Sequence, residues 1–155
     1  MSESKNSKKR IFLIDGYALL FRAHFALIRN PLITSYGLNT SAVFGFVNQI
    51  LKLLRKENPE YIVCAFDTKG KTFRHDLYSS YKANRPEMPE ELQMQLPHLW
   101  DILDAMNMPV IKKAGFEADD IIGTLAVNSQ EDGLISYIVS GDKDFMQLIN
   151  DKIFL

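Results

Sequence analysis

Acidic side chains follow the apolar runs of this sequence at the points where those runs end. Asp15 and Asp67 each come directly after a short apolar run, and Asp142 follows a third run after two small residues. A fourth group of acids opens a predicted helix at 117–120. Because the carboxyl ends of parallel strands meet at one edge of a sheet, we expect these groups to converge there. The predicted cluster has seven carboxylates: Asp15, Asp67, Glu117, Asp119, Asp120, Asp142 and Asp144.

A cluster of this kind needs positive charge, because neighbouring carboxylates repel one another and destabilise the fold. Helix N-termini could supply some of that charge, and divalent cations would supply more. The candidate ligands are all oxygen atoms, with no His or Cys among them, which favours Mg²⁺ or Mn²⁺ over Zn²⁺. Seven acids exceed the need of one Mg²⁺. The sequence therefore predicts two ions roughly 4 Å apart, an arrangement that cuts or forms phosphodiesters.

Each acid also has a simpler interpretation. An Asp after a strand commonly caps the next helix or forms a turn, and Asp142 or Asp144 alone could do no more than that. Asp119 and Asp120 alone could complement the dipole of their own helix. Four such groups in one short chain favour a shared site over coincidence.

A basic segment directly follows Asp67. Residues 68–86 carry five Lys or Arg side chains against one acid, interleaved with three aromatic residues. Lys and Arg bind phosphates, and aromatic rings stack on unpaired bases, although a solvated charged loop would have the same composition. Since this segment leaves the same edge as the acids, it predicts a polyanionic substrate whose phosphate meets the cations. The basic residues are Lys69, Lys71, Arg74, Lys82 and Arg85, and the aromatic ones are Phe73, Tyr78 and Tyr81.

The overall charge hides this segregation. The net charge is −1, from 18 basic and 19 acidic residues, which by itself argues against a strongly basic nucleic-acid binder. Residues 68–86 are nevertheless near +4, whereas residues 115–155 carry eight acids against two lysines. Arg22, in the first predicted helix, is either a further phosphate contact or an ordinary surface residue.

Composition bounds the remaining possibilities. With 46% hydrophobic residues among 155, the chain can form one core and is not disordered as a whole. The single cysteine, Cys64, excludes an intramolecular disulfide and a Cys-built zinc site. The three histidines show no metal-ligand spacing and are interpreted as structural or surface residues. No membrane span or secretory signal is indicated, so the expected location is the cytoplasm.

Apolar strands alternate with amphipathic helices along the chain. This pattern predicts an α/β fold with a mainly parallel, twisted central sheet flanked by helices. Residues 1–9 are predicted to be a flexible basic tail, and 68–89 a long, partly helical excursion. Strands are predicted near 11–14, 61–66, 109–111, 134–139 and 152–155, and helices near 17–26, 40–57, 90–106 (with a kink at Pro97), 118–128 and 144–149.

Five segments, in this order, closely resemble the amino-terminal 5′-nuclease domain of bacterial DNA polymerase I. That domain is a flap-endonuclease relative with a PIN-like fold, and the resemblance runs from about Lys9 to the end of the chain. Any one motif would be weak evidence, but five in sequence are specific. They are IDG at 14–16, FDTKGKTFR at 66–74, YKANRP at 81–86, EADDIIGT at 117–124 and SGDKD at 140–144.

The resemblance implies a structure-specific nuclease that removes 5′ flaps and RNA primers during DNA replication and repair. The seven acids would hold two Mg²⁺ (or Mn²⁺) ions, directly or through water. Lys82 and Arg85 would reach the scissile phosphate from a helical arch, with Arg22 as a further phosphate contact, and Tyr81 would stack on a terminal base. Lys69, Lys71 and Arg74 belong to the same expected DNA-binding surface.

The resemblance also implies a longer parent protein. Members of this family continue with further metal-binding aspartates, a duplex-binding helical part and a polymerase domain in the same chain. Residues 10–155 would then be the amino-terminal part of the nuclease domain, in a protein expected to be monomeric. The alternatives are a fragment that binds metal and DNA without cutting, a PIN-type ribonuclease, and a phosphoacceptor receiver domain, which needs fewer acids and no basic arm.

Overall fold

The computed structural model describes residues 9–155, so most of the predicted basic tail lies outside the described residues. Five strands and six α-helices alternate along the chain, together with one 3₁₀-helix near its end. The strands are β1 (Arg10–Asp15), β2 (Tyr61–Ala65), β3 (Val110–Ile111), β4 (Ile135–Val139) and β5 (Ile153–Phe154). The helices are α1 (Gly16–Ala26), α2 (Ser41–Glu57), α3 (Phe73–Leu77), α4 (Glu90–Gln93), α5 (Leu96–Ala105) and α6 (Ala118–Glu131), and the 3₁₀-helix spans Lys143–Leu148.

All five strands pair in parallel, in the order β3-β2-β1-β4-β5. The central strand β1 lies between β2, to which Ile14 pairs at Cys64, and β4, to which Ile14 pairs at Val139. The carboxyl ends of these three strands therefore meet at one edge. The predicted α/β fold with a parallel sheet is confirmed.

Two apolar layers cover the sheet because β1 and β2 bury side chains on both of their faces. On one face, Phe12 and Ile14 pack with Phe66 and with the helices α1, α2 and α5. On the other face, Leu13 and Val63 pack with helix α6 and with the 3₁₀-helix. This two-sided burial explains the unbroken apolar runs that identify the strands in the sequence.

Helices α1 and α2 pack closely, and the N-terminus of α2 is capped from elsewhere in the chain. A Cβ atom at Gly45 would lie 2.7 Å from the Cβ of Ala23, so glycine allows this close approach. Thr40 precedes α2 but makes no side-chain capping bond. The fully buried Gln95 supplies the acceptor: its Oε1 accepts hydrogen bonds from the backbone N–H groups of Ala42 (3.0 Å) and Val43 (3.2 Å).

The prediction of one kinked helix at 90–106 was wrong. The chain forms α4 and α5 separately, with Pro97 in the first turn of α5. Proline is favoured at that position because its missing N–H would have no partner there. The other predicted elements are present with shifted ends, and the predicted excursion at 68–89 contains only the short helix α3. Within residues 9–155, no helix is long and apolar enough to cross a membrane.

Candidate metal-binding and nucleic-acid site

The sheet edge brings four of the acids around one cavity of about 420 Å³. Asp15, Asp67, Asp119 and Asp142 line it, although they come from four separate parts of the chain. Two basic residues of the segment 68–86, Lys82 and Arg85, line the same cavity. The arrangement therefore places carboxylates and cationic side chains around one space.

Asp15 ends β1 and begins α1, so the turn between them fixes its carboxylate. Oδ1 accepts a hydrogen bond from the N–H of Ala18 at 3.1 Å, which is an N-cap. Oδ2 accepts one from the hydroxyl of Ser140 at 2.8 Å, which joins the ends of β1 and β4. Gly16 is required at this turn, because a Cβ atom there would collide with the ring of Phe66.

Asp67 and Asp142 are also bound by backbone N–H groups at helix starts. The Oδ1 atom of Asp67 accepts from the N–H of Ala118 at 2.6 Å, at the N-terminus of α6. Asp142 caps the 3₁₀-helix by accepting from the N–H of Asp144 at 2.8 Å. Asp142 therefore caps the helix that follows it, whereas Asp67 binds the start of a more distant helix, and both acids lie at the shared edge of the sheet.

Negative charge accumulates in this cavity. Burial, followed by the charges of Asp15, Asp142 and Asp67, raises the pKa of Asp119 to about 6. Burial also raises the pKa of Asp15, although the bonds from Ala18 and Ser140 oppose that shift. Among residues 9–155, no three His, Cys, Asp or Glu side chains form a ready-made metal-binding group. The donors are suited to a hard cation by type, but their positions do not form a finished ligand cage.

Glu117 binds the tip of the basic segment, which is the turn formed by residues 81–85. Its Oε1 accepts from Lys82 Nζ at 2.9 Å, and its Oε2 accepts from the hydroxyl of Tyr81 at 3.2 Å. The turn that carries these residues holds Lys82 at a φ of 55°, in the left-handed region that a non-glycine residue rarely adopts. The buried carboxylate of Glu117 thus holds Lys82 and Tyr81 against the start of α6.

Asp120 and Asp144 line a neighbouring cavity of about 380 Å³, together with Glu117 and Asp119. Asp120 faces Arg74, whose guanidinium donates two hydrogen bonds of 2.7 Å to its carboxylate. This guanidinium holds the pKa of Asp120 below its usual range. The carboxylate of Asp120, a predicted metal ligand, is therefore already occupied by the guanidinium of Arg74.

The remaining basic and aromatic residues lie around these cavities. Lys69 lines a cavity that shares Asp67 and Arg85 with the acidic one, and Lys71 is exposed. Arg22 is exposed on α1 and lines a different cavity, beside Ser140 and Gly141. The ring of Tyr81 meets His75 edge-on, with the centroids 5.4 Å apart.

Ser140 is a residue of the site that sequence reasoning did not single out. Its hydroxyl donates to Asp15 and accepts from the N–H of Asp142 at 3.1 Å, so one side chain connects two of the acids. Its position directly after β4 and before Gly141-Asp142 was the available signal. The backbone N–H of Ala118, which binds Asp67, leaves no signal in the residue type.

A parallel sheet with carboxylates at its strand ends and a basic excursion over them defines the class of this protein. Residues 10–155 match the family model described as the 5′-3′ exonuclease, N-terminal resolvase-like domain. The chain belongs to this family, which confirms the resemblance drawn from the sequence motifs.

Known relatives agree with this assignment. The chain is 44% identical over 144 residues to DNA polymerase I of Caldicellulosiruptor bescii, covering 93% of this chain and 17% of that protein. It is 37% identical over 147 residues to the 5′-3′ exonuclease of Aquifex aeolicus, covering 95% of this chain and 50% of that one. The chain thus spans half or less of the length of these relatives.

A solved structure supports the fold independently. The bacteriophage T5 flap endonuclease, crystallised as a pseudo-enzyme-product complex with DNA and metal ions, superimposes with a TM-score of 0.69 at 24% identity. The match covers 94% of this chain and 53% of that one. At this level of identity the comparison establishes a common fold.

Proposed function

We propose that this chain is the metal-binding part of a 5′-nuclease that hydrolyses phosphodiesters in 5′ flaps and in RNA primers paired with DNA. The observation that carries the proposal is the cavity that Asp15, Asp67, Asp119 and Asp142 line together with Lys82 and Arg85. Anionic and cationic side chains around one space suit a phosphate held against cations. The metal-bound T5 flap endonuclease and the Aquifex exonuclease lend support.

Divalent cations fit the donor set, because every acid offers hard oxygen atoms and the burial and neighbouring carboxylates that raise the pKa of Asp119 outweigh the opposing charge of Lys82. We infer Mg²⁺ or Mn²⁺, with two ions in the complete site. Bound cations would neutralise the phosphate and lower the pKa of a coordinated water. The residues that would hold them are Asp15, Asp67, Glu117, Asp119, Asp142 and Asp144. Asp120, which accepts a hydrogen bond from the backbone N–H of Glu117, is the seventh acid of the predicted set.

The chain's own cationic residues would orient the substrate. Lys82 and Arg85 line the same cavity as the acids, so a phosphate that enters it would be drawn to both cationic side chains. Lys82 must first leave Glu117, which a cation on that carboxylate would favour. Arg22, Lys69 and Lys71 lie farther out, where they would follow the nucleic-acid backbone, and Tyr81 would stack on a terminal base once free of Glu117.

The parent protein would carry this module beside other parts. The relatives named DNA polymerase I are several times longer than the match, so a polymerase domain in the same polypeptide is a natural partner. We infer a monomeric module acting on branched or nicked DNA, without a membrane partner.

A cleavage assay tests the proposal. The chain is incubated with a 5′-flap DNA labelled at its 5′ end, in Mg²⁺, in Mn²⁺ and in EDTA. We expect cation-dependent release of the flap, at a rate reduced at least about 100-fold in Asp67→Asn. Arg55→Met, on the exposed side of α2, serves as a control that should cut normally.

Equal cutting by the wild type and Asp67→Asn would contradict the proposal. A second candidate is a module that binds metal and branched DNA but does not cut, and it is favoured by the ion pairs that occupy two of the predicted ligands, Asp120 with Arg74 and Glu117 with Lys82. Cation-dependent flap binding without any cleavage would support this second candidate instead.

A further inference from the structure

The base of the basic segment is fastened to the residues that precede α6. The N–H of Phe73 donates to the carbonyl of Gly115 at 3.2 Å. The ring of Phe73 packs on that of Phe116 with the centroids 5.9 Å apart, and the guanidinium of Arg74 lies 4.6 Å from the Phe73 centroid. Helix α3 is therefore attached to the start of α6 before the segment rises over the acids.

Arg74 completes this attachment with its two bonds to Asp120. The side chains of Arg74 and Asp120 are only 29% and 21% exposed, and a second carboxylate, Glu117, lies 3.8 Å from the guanidinium. Two planar groups joined by parallel bonds form a rigid connection, which a lysine could not reproduce. A guanidinium occupied in this way is poorly placed to bind a phosphate.

The contact continues from Asp120 to the tip of the segment. Asp120 Oδ2 also accepts from the backbone N–H of Glu117 at 2.9 Å, which fixes the residue that caps α6. The carboxylate of Glu117 then binds Lys82 and Tyr81. A continuous series of hydrogen bonds thus connects the base of the segment to its tip through the first turn of α6.

We propose that Arg74 is a positioning residue of this site: through Asp120 it fixes Glu117, and through Glu117 it holds Lys82 and Tyr81 beside the acids until cation and substrate release them. It also keeps the carboxylate of Asp120 paired. Arg74 then acts on the protein and not on the nucleic acid, in contrast to the DNA contact expected from the sequence. The inference rests on the proposed function of the acidic cavity.

Amide hydrogen exchange in EDTA tests this connection without requiring activity. The N–H groups of Tyr81, Ala83 and Arg85 each donate to a carbonyl three residues earlier, so their exchange reports order at the tip. We expect Arg74→Met and Asp120→Asn each to speed this exchange about fivefold or more, and the double variant to be no faster than either. Arg74→Lys should recover only part of the protection, and Arg55→Met should exchange like the wild type.

Titration with Mn²⁺, followed by electron paramagnetic resonance, gives a second readout. Arg74→Lys keeps the charge but loses the paired geometry, so we expect Mn²⁺ to bind at least about threefold more weakly as Glu117 loses its fixed position. Equal or tighter Mn²⁺ binding would overturn the inference, because it would mean that Arg74 merely withholds a ligand or has no role in the site.

Binding of flap DNA in EDTA separates the remaining alternative. The proposal would be overturned if Arg74→Met left the amide exchange unchanged but bound DNA more weakly, with a smaller salt dependence of that binding. Such a result would show that Arg74 is a phosphate contact. A further outcome would be that the wild type binds no Mn²⁺ while Arg74→Met still loses amide protection at the tip. That result would count against the proposed nuclease function, but it would support the connection from Arg74 to the tip.

Discussion

At the scale of single residues, the acids of this site serve two purposes. Asp15 caps α1 and Asp142 caps the 3₁₀-helix, yet both also line the cavity with Asp67 and Asp119. The N-terminus that each of these two acids caps offsets part of its negative charge. Asp119 receives no such bond from the described residues, which fits its strongly raised pKa.

Replacing Asp119 should change how stability depends on pH. Its pKa is about 6 in the folded chain and 3.8 in a model compound, so between those values the folded state binds more protons than the unfolded state. Its contribution to the free energy of unfolding therefore falls as pH rises through this window. Without divalent cations, we expect Asp119→Asn to be more stable than wild type at pH 7.5 by about 1 kcal/mol, after allowance for solvent screening.

Urea denaturation in EDTA at pH 4 and pH 7.5 measures this effect. Asp101→Asn, an exposed acid on α5, is the matched control and should follow the wild type at both pH values. An Asp119→Asn variant whose advantage is the same at both pH values would contradict the account.

At the scale of elements, the helices α2, α4 and α5 are joined by a contact between distant parts of the chain. Gln95 sits in the short gap between α4 and α5, and its side chain caps α2 while its Nε2 donates to the carbonyl of Glu91 at 3.0 Å. One buried side chain thus joins three helices. Thr40 and Ser41, which are common capping residue types, stand at the start of α2, whereas a partner more than 50 residues away leaves no local signal in the sequence.

Gln95→Met should therefore destabilise the chain by about 2–4 kcal/mol, because two backbone N–H groups of α2 lose their acceptor in a buried place. The change keeps the approximate volume of the side chain, so a cavity contributes little. The midpoint of urea unfolding measures the loss. Gln49→Met, on the exposed side of α2, should shift the midpoint only slightly, and similar shifts for both variants would rule out the capping role.

At the scale of the whole molecule, the burial of Cys64 offers a probe of global opening. The thiol lies within β2 with no solvent exposure, and burial raises its pKa to about 12. We expect a thiol reagent at pH 8 to label the folded chain at least ~1000-fold more slowly than the urea-unfolded chain. Labelling at a tenth of the unfolded rate would show that β2 opens locally.

The proposed cations should also stabilise the whole fold. A ligand that binds only the folded state at 100 times its dissociation constant adds about 2.7 kcal/mol, which corresponds to roughly 5–10 °C in the melting temperature of a domain of this size. We expect Mg²⁺ at millimolar concentration to raise the melting temperature, and NaCl of equal ionic strength to do much less. Equal effects of the two salts would indicate general screening.

The sequence was sufficient to predict the sheet and the meeting of the acids, because buried runs such as 11–14 end in Asp15 and parallel strands share an edge. It did not predict the pairing of Arg74 with Asp120, since that contact depends on how the irregular segment folds back. The opposed charges of residues 68–86 and 115–155 indicated only that these two parts of the chain attract each other. Only the three-dimensional structure shows that the guanidinium of Arg74 is bound to the carboxylate of Asp120.

The central position of β1 has a consequence for the order of folding. β1 is the first of the five described strands to be made and its partner β4 is the fourth, so Asp15 and the hydroxyl that binds it lie 125 residues apart in the chain. At roughly 5–20 residues per second, a ribosome needs on the order of 6–25 s to make that stretch. A nascent chain therefore cannot bring Asp15 and Asp142 together until β4 and the residues that follow it have emerged.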